Sequence, residues 1–510
     1  MKIKKVEIVN YKSFYRKHEI NVDSKNLFIY GENGSGKSSF YYALKDFFQS
    51  SSEDIDYDGT ENIFLRKNQK GKGKIEVTFD TDRFGNVPTA PISYFLKKNS
   101  KNTYTPGDTS IRDAIKLKSF LTYKHLLDIH HIKKDKEIDL FDLLVKGVLK
   151  HFKSVAITGN KELGELWSDV ETAIVKPTDG RTYNITHKKT DVDKAINIFN
   201  TAFKKLFERG GIENILKYAQ PILDKFGHNI QLELIYTQVK PTEDYQAYER
   251  NHVKVKIKYC GKEIDKPHYF LNEARLSAIA ISIYLGMIKR HIQRIPCKIL
   301  FLDDIFIGLD IGNRLPLLQI LDDDFSEYQV FITTYDKPWY EFVKSTYLNG
   351  NNAWKTLVFY ARRTRMGFEV PIIKEYKPNK PNSDIQLYLD KAEEYYNQAD
   401  NKAAGVYLRS AFEFILKMYC FGKVPVIFEL DTSKLNTETF WNAVKKYNKE
   451  NDACHLTKET IKAIDNYRNL VLNPLSHHDV NRHEISSEIE GALAVIKKLK
   501  TELEVKTKSK

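Results

Sequence analysis

The sequence predicts an α/β domain that carries a helical insertion and is followed by an all-α bundle. Three observations lead there. A glycine-rich turn, Gly31 to Ser38, lies between a run with strand character, Asn26–Tyr30, and one with helical spacing, Ser38–Phe48. A second apolar run, Lys298–Leu302, ends on two aspartates, Asp303 and Asp304. From Asp384 onward the pattern is helical almost throughout.

Taken in order, Lys4–Tyr11 and Lys17–Val22 alternate β-branched residues with polar ones, which predicts strands. Lys74–Phe79, Gln231–Val239 and His252–Tyr259 predict more. Asp191–Leu223 repeats apolar residues at helical spacing and should break at Gly210-Gly211 and at Pro221. Ala274–Lys289 predicts a helix, and Gln329–Thr333 and Lys355–Ala361 predict core strands. Lys374–Ser383 holds two prolines and little apolar content, which marks a linker. The expected layout is a head over 1–375 with an insertion lobe at about 85–225, a linker over 376–383 and a helical domain over 384–505. No heptad pattern persists, so no long coiled-coil arm is expected.

The 510 residues allow two to four domains, at roughly 150 residues each. Hydrophobic residues at 42% exclude a wholly disordered chain. Lys plus Arg (80) exceeds Asp plus Glu (67), a surplus of +13 that fits either a polyanionic partner such as nucleic acid or a solvated surface. Four cysteines without a CxxC fit reduced thiols. The longest apolar run, Ala278–Ile288, is too short for a bilayer crossing of ~20 residues. The N-terminus has no continuous apolar signal region. A cytoplasmic protein without membrane contact is expected.

The chemistry resides in the two motifs. Gly31-Glu32-Asn33-Gly34-Ser35-Gly36-Lys37-Ser38, continued by Ser39, fits GxxxxGK[ST] between strand and helix. Glycines let backbone N–H groups close on phosphate oxygens, and the helix N-terminus adds positive potential. Lys37 would reach the β- and γ-phosphates of ATP, and the Ser38 hydroxyl would hold Mg²⁺. Asp303 would hold Mg²⁺ as well. Asp304 is placed to orient or deprotonate the attacking water.

With these motifs the chain resembles the ABC-type P-loop ATPases of the SMC/RecF kind, including ATPase subunits of bacterial anti-phage systems of the Septu and PARIS type. Val9-Asn-Tyr-Lys-Ser-Phe14 is similar to that family's first strand and turn. Asp303-Asp-Ile-Phe-Ile-Gly-Leu-Asp310 resembles its Walker B and D-loop, with Asp310 as the D-loop aspartate. Leu271-Asn-Glu-Ala-Arg-Leu-Ser277 occupies the signature position. The resemblance implies that Asn272, Arg275, Ser277 and Asp310 serve the ATP of an opposing subunit, so that a chain with one motif set forms a homodimer through its ATP-bound heads, or a higher oligomer. Three departures stand out. Asn272 replaces the signature serine, Asp304 replaces the catalytic Glu, and Tyr335 stands where the family has a switch histidine. Slow hydrolysis follows, with Glu273 as the alternative base. Leu121–Lys124 is the candidate Q-loop.

His125, His130 and His131 cluster without a cysteine or a regular acidic partner, which favours structural roles over a metal. Lys97, Lys98, Lys101, Lys116 and Lys118 are either phosphate contacts or a solvated face. In the last domain, Tyr467-Arg468-Asn469 followed by His477-His478 resembles HEPN-type helical bundles, where such residues cleave RNA. Pro474 and the wide spacing favour a docking bundle, with Arg468 paired to Asp465 or Glu413. The resemblance implies a sensor or regulator of anti-phage defence that controls a partner effector nuclease. The alternatives are a RecF-like DNA-repair ATPase and an ATPase-gated HEPN ribonuclease toxin.

Overall fold

The computed structural model describes residues 1–130, 139–176, 185–249, 252–290, 295–348, 350–376, 381–420, 424, 436–450, 456–474 and 486–504. The chain divides into two compact units, Met1–Tyr376 and Lys377–Lys510.

The first unit opens with β1 (Ile3–Tyr11), β2 (Phe14–Asn21) and β3 (Asn26–Gly31), then α1 (Lys37–Gln49) and β4 (Lys74–Phe79). Next come β5 (Ile92–Lys97), β6 (Ser100–Lys101), α2 (Ser110–Lys116), β7 (Phe120–Thr122) and α3 (Tyr123–His130). Helices α4 (Leu163–Val175), α5 (Ile185–Lys205) and α6 (Leu216–Asp224) lead to β8 (Ile230–Tyr236), β9 (Val253–Tyr259), β10 (Lys262–Ile264) and α7 (Pro267–Phe270). The unit closes with α8 (Glu273–Lys289), β11 (Ile299–Asp303), α9 (Ile311–Asp324), β12 (Gln329–Thr334), α10 (Lys337–Phe342), β13 (Trp354–Arg363) and β14 (Glu369–Tyr376).

Three sheets form. The central one runs β14-β13-β3-β12-β11-β7, parallel except for β14, which pairs antiparallel with β13. An antiparallel sheet runs β2-β1-β4-β5-β6, and a small one runs β10-β9-β8. Alternation along β3 shows why the layers stack as they do. Leu27 and Ile29 enter one core with Phe40, Leu44 and Phe47 of α1 and with Ile3, Val6 and Ile8 of β1. Phe28 and Tyr30 enter the other, with α8, α9 and the helices of the insertion. A parallel strand buried on both faces reads as an apolar run, as β11 and β12 do. Helix α8 is buried from Leu276 to Ile288, which explains the long apolar run. Among the described residues no helix is long and apolar enough to cross a membrane.

Several expectations are corrected. Residues 92–97, 100–101 and 120–122, expected in the insertion, are strands of the head sheets, and the insertion shares one continuous core with a face of the central sheet. Pro221 lies inside α6 rather than ending it. The helix has run little more than one turn before it, so only the bond to Lys217 is forfeited. Lys374–Tyr376 completes β14, paired with Thr356–Val358, and Pro381 opens a helix as its first residue, so neither stretch is linker. The basic clusters are largely paired: Lys98 with Asp58 at 2.5 Å, Lys101 with Asp54 at 3.2 Å and Lys116 with Glu162 at 2.8 Å. Lys118 is largely desolvated, which lowers its pKa.

The second unit contains α11 (Pro381–Asn397), α12 (Asn401–Cys420), α13 (Thr437–Glu450), α14 (Lys458–Tyr467) and α15 (Ser486–Glu504). They bury Leu389, Leu408, Phe412, Leu416, Trp441, Ile464 and Ile496 in one core.

Candidate active site

Strand β3 ends at Gly31 and α1 begins at Lys37, so the turn between them is short and tight. Gly34 and Gly36 have φ of +85° and +99°, a region other residues avoid. A Cβ on Gly36 would lie 2.6 Å from Pro371 and 3.1 Å from Ser13 Oγ, and one on Gly31 would collide with Ser35 Oγ. Strand β14 and the β1–β2 turn therefore brace the loop from outside. The Ser35 N–H donates to the Glu32 carbonyl (3.1 Å), and Ser39 Oγ accepts from the Ser13 N–H (3.5 Å). Asn33 is exposed at the tip.

Lys37, 4% exposed, donates from Nζ to the Gly31 carbonyl (2.6 Å) and the Glu32 carbonyl (3.3 Å). Burial lowers its pKa, against the pull of Asp304 and Asp303. Asp303, at the end of β11, is buried. Its Oδ1 accepts from Thr333 Oγ1 (2.6 Å) and its Oδ2 from Ser38 Oγ (3.1 Å). Burial raises its pKa, and these two bonds oppose that. Thr333 Oγ1 also accepts from the Asp304 N–H (2.9 Å), so one hydroxyl on β12 fixes both aspartates. Sequence reasoning missed Thr333. Its signal was the polar Thr333-Thr334 pair ending an apolar strand beside the one that carries the acids.

Asp304 has φ of +50°, a conformation held at a cost of about 1 kcal/mol. Among the described residues its buried Oδ1 has no hydrogen-bond partner. Burial pushes its pKa up to about 6, with Lys37 pulling down and Asp303 pushing up. A cradle of glycines, two oxygen donors (Ser38, Asp303) and an unsatisfied carboxylate oxygen match the needs of a phosphate chain with a hard divalent cation.

Asn272 caps α8, accepting from the Arg275 N–H (3.1 Å), and both Asn272 and Glu273 are exposed there. The Arg275 guanidinium lies 5.0 Å from the Tyr259 ring centre. Ser277 is the exception among the expected signature residues. It is buried against Gly308, one turn further into the helix, so it supports its own D-loop instead of facing outward. Asp310 caps α9, accepting from Asn313 N (3.0 Å) and Nδ2 (2.7 Å). Arg314 joins this loop to the next one, with Nη1 2.6 Å from Asp336 Oδ2 and Nε donating to the Leu309 carbonyl (2.8 Å). Sequence reading did not find that pair, because its partners are 22 residues apart on different loops. Tyr335, just past β12, is 48% exposed. Thr122 of the candidate Q-loop segment pairs across from Asp303, and its N–H donates to His125 Nδ1 (2.9 Å). His125 thus has a structural task. His131 lies outside the described residues, and no metal-holding cluster occurs among those described.

In the helical unit Arg468 is 11% exposed, with Nη1 3.7 Å from Asp465 Oδ1. Asp465 Oδ1 also accepts from Trp441 Nε1 (2.7 Å). His477 and His478 lie outside the described residues. An ordering of stabilities follows. Arg468→Ala removes one long ion pair and should cost about 1 kcal/mol. Asp465→Ala orphans the buried Trp441 N–H and should cost about 2 kcal/mol. Thermal melts of the two variants should show the aspartate loss to be the larger.

The model of the RecF/RecN/SMC N-terminal domain matches residues 2–350. Among solved structures, an Smc head bound to the C-winged helix domain of ScpA is similar at 14% identity, covering 74% of this chain and 98% of that one, with a TM-score of 0.39. An Smc head domain with an extended coiled coil, bound to the C-terminal domain of ScpA derived from Pyrococcus furiosus, matches at 14% identity, 73% and 96% coverage and a TM-score of 0.37. The SMC head domain from Thermotoga maritima matches at 12% identity, 74% and 100% coverage and a TM-score of 0.32. Curated proteins give no match. With the family model spanning well over half of its length, the chain belongs to the RecF/RecN/SMC N-terminal domain family of ATPases.

Proposed function

We propose that the head binds and hydrolyses ATP between two copies of this chain, and that its opening and closing regulates a partner effector nuclease in anti-phage defence. The observation that carries the ATPase site is the convergence of Lys37, Ser38, Asp303 and Asp304 at the C-terminal ends of β3 and β11, the two strands that flank β12, with Ser38 Oγ 3.1 Å from Asp303 Oδ2. Ligands of open α/β sheets bind at such ends. The loop N–H groups from Gly31 to Ser39 and the start of α1 hold the phosphates, and Lys37 exchanges its carbonyl partners for them. Ser38 and Asp303 are the residues to hold Mg²⁺, which supplies neutralising charge for the phosphates. Asp304 orients the attacking water and takes its proton, Tyr335 hydrogen-bonds near the γ-phosphate, and Glu273 is the alternative base. Asn272, Arg275, Asp310 and the N-terminus of α8 face the nucleotide of the other copy. The effector role is supported by the resemblance to defence ATPases and by the helical unit appended to the head.

The test is phosphate release from ATP by the purified chain across a pH series. A base must be ionised to act, and Asp304 is protonated below about pH 6. In kcat/KM, which reports the free chain, the rate should therefore hold between pH 7 and 8 and fall on an acid limb with its midpoint near 6. A constant kcat/KM down to pH 5 would remove Asp304 from the mechanism. The defence reading predicts that cells lose phage protection with Lys37→Ala, and that a nuclease co-purifies with the wild-type chain.

A further inference from the structure

The sheet β10-β9-β8 ends on β8, whose second edge pairs with no strand among the described residues. The register fixes which groups lie there. The Cys260 N–H donates to the Asn229 carbonyl (3.0 Å) and the Thr237 N–H to the His252 carbonyl (3.1 Å), so the odd residues 231, 233 and 235 turn their backbone groups toward β9. Alternation in an antiparallel ladder then points those of residues 230, 232, 234 and 236 outward. The side chain of Gln220 satisfies the first two, donating to the Ile230 carbonyl (2.8 Å) and accepting from the Leu232 N–H (2.9 Å). Among the described residues no partner is found for the Leu232 carbonyl, the Leu234 N–H and carbonyl, or the Tyr236 N–H.

This free edge forms one wall of a cleft of about 530 Å³. The residues Gln231 to Leu234 line it in unbroken succession, and the loop and helix from Phe207 to Lys217 form the opposite wall. The cleft holds three cations, Arg209, Lys217 and Lys258, against one acid, Glu233. An exposed edge of this length is normally blocked by a charge, a proline or a covering element. Here one end is closed by Gln220 and the rest opens onto an apolar, positively charged slot. The side chains of β8 alternate as well. Leu232 and Leu234 turn toward the core, whereas Gln231 and Glu233 turn outward beside Lys258 and Lys256.

We propose that this cleft receives an extended acidic peptide segment of a partner protein, which adds to β8 as a further strand. Backbone bonds to Leu232, Leu234 and Tyr236 give the register. Alternating apolar side chains of the peptide cover the Phe207–Leu216 wall, and its carboxylates meet Arg209, Lys217 and Lys258. The proposal is independent of the ATPase site.

The probe is a fluorescent ten-residue peptide alternating Glu with Val, titrated against the full chain by anisotropy. Saturable binding is expected, weakened at least tenfold when alternate backbone amides of the peptide are N-methylated, since each removes an edge hydrogen bond. That comparison leaves the protein untouched. Arg209→Glu with Lys217→Glu should also weaken binding about tenfold or more, with thermal stability retained because both side chains are exposed. Equal affinity of the methylated and plain peptides, or no binding of the plain one, would overturn the proposal. So would a single-stranded oligonucleotide that binds and loses affinity in the same double variant while the peptide does not bind.

Discussion

Lys37→Ala is expected to abolish measurable ATP binding. Lys37 is the one basic side chain buried in the turn, with Nζ already at the mouth of the loop on the Gly31 and Glu32 carbonyls. Its desolvation in the free chain lowers its pKa, so a phosphate that restores a counter-charge is met by a lysine with little water left to shed. Truncating one partner of a desolvated charge pair costs ~2–5 kcal/mol, which is roughly 30-fold to several-thousand-fold in dissociation constant. Folding should survive. The glycine φ angles and the Pro371 contact hold the loop without the lysine, and Glu32 is exposed enough for its carbonyl to take water. Calorimetry with ATP and Mg²⁺ checks the result, alongside a melt showing an intact fold. Unchanged affinity would remove the loop from nucleotide binding.

The parts of this site that sequence made legible are those where local geometry leaves one residue type. Gly36 has to be glycine because of its φ and because Pro371 lies where a Cβ would be. Asp303 and Asp304 were legible because a strand buried on both faces cannot carry acids except at its end. The parts that were not legible depend on pairing at a distance. Strand β7 is three residues long and shows no periodicity, yet it completes the sheet beside β11. The end of β14, Lys374–Tyr376, looked like linker because it runs into a stretch with two prolines and little apolar content, and Pro371 lies earlier in the same strand. The strand lies at a sheet edge, where an unpaired side tolerates proline, and there it supports the loop. Ser277 has the right spacing for a signature residue, but α8 is buried around almost its whole circumference. Apart from Lys289 in the last turn, only Asn272, Glu273 and Arg275 at its start reach the surface.

Asp304→Asn is expected to slow ATP turnover by ~10² to 10³ while leaving ATP binding intact, and to stabilise the fold at the same time. Binding survives because Lys37, Ser38 and Asp303 are untouched. The Asp303 carboxylate keeps its bonds to Thr333 and Ser38, and Asn tolerates the φ of +50° that Asp304 adopts. Turnover falls because an amide can orient water but cannot accept its proton. The stability gain follows from the direction of the pKa shift. Asp304 is raised from 3.8 to about 6 by burial, so the folded state binds the proton more tightly than the unfolded chain does. Stability therefore declines as pH rises from about 4 to about 6, and is flat above that. At pH 8 the ionised side chain opposes folding, and Asn removes that charge. The variant should melt a few degrees higher than wild type at pH 8, and the gain should shrink at pH 5, where wild-type Asp304 is mostly protonated. Wild-type turnover in the variant would transfer the base to another group, with Glu273 next to be replaced. A lower melting point at pH 8 would mean that Asp304 is already paired in solution, and would contradict the unsatisfied Oδ1 on which its catalytic role rests.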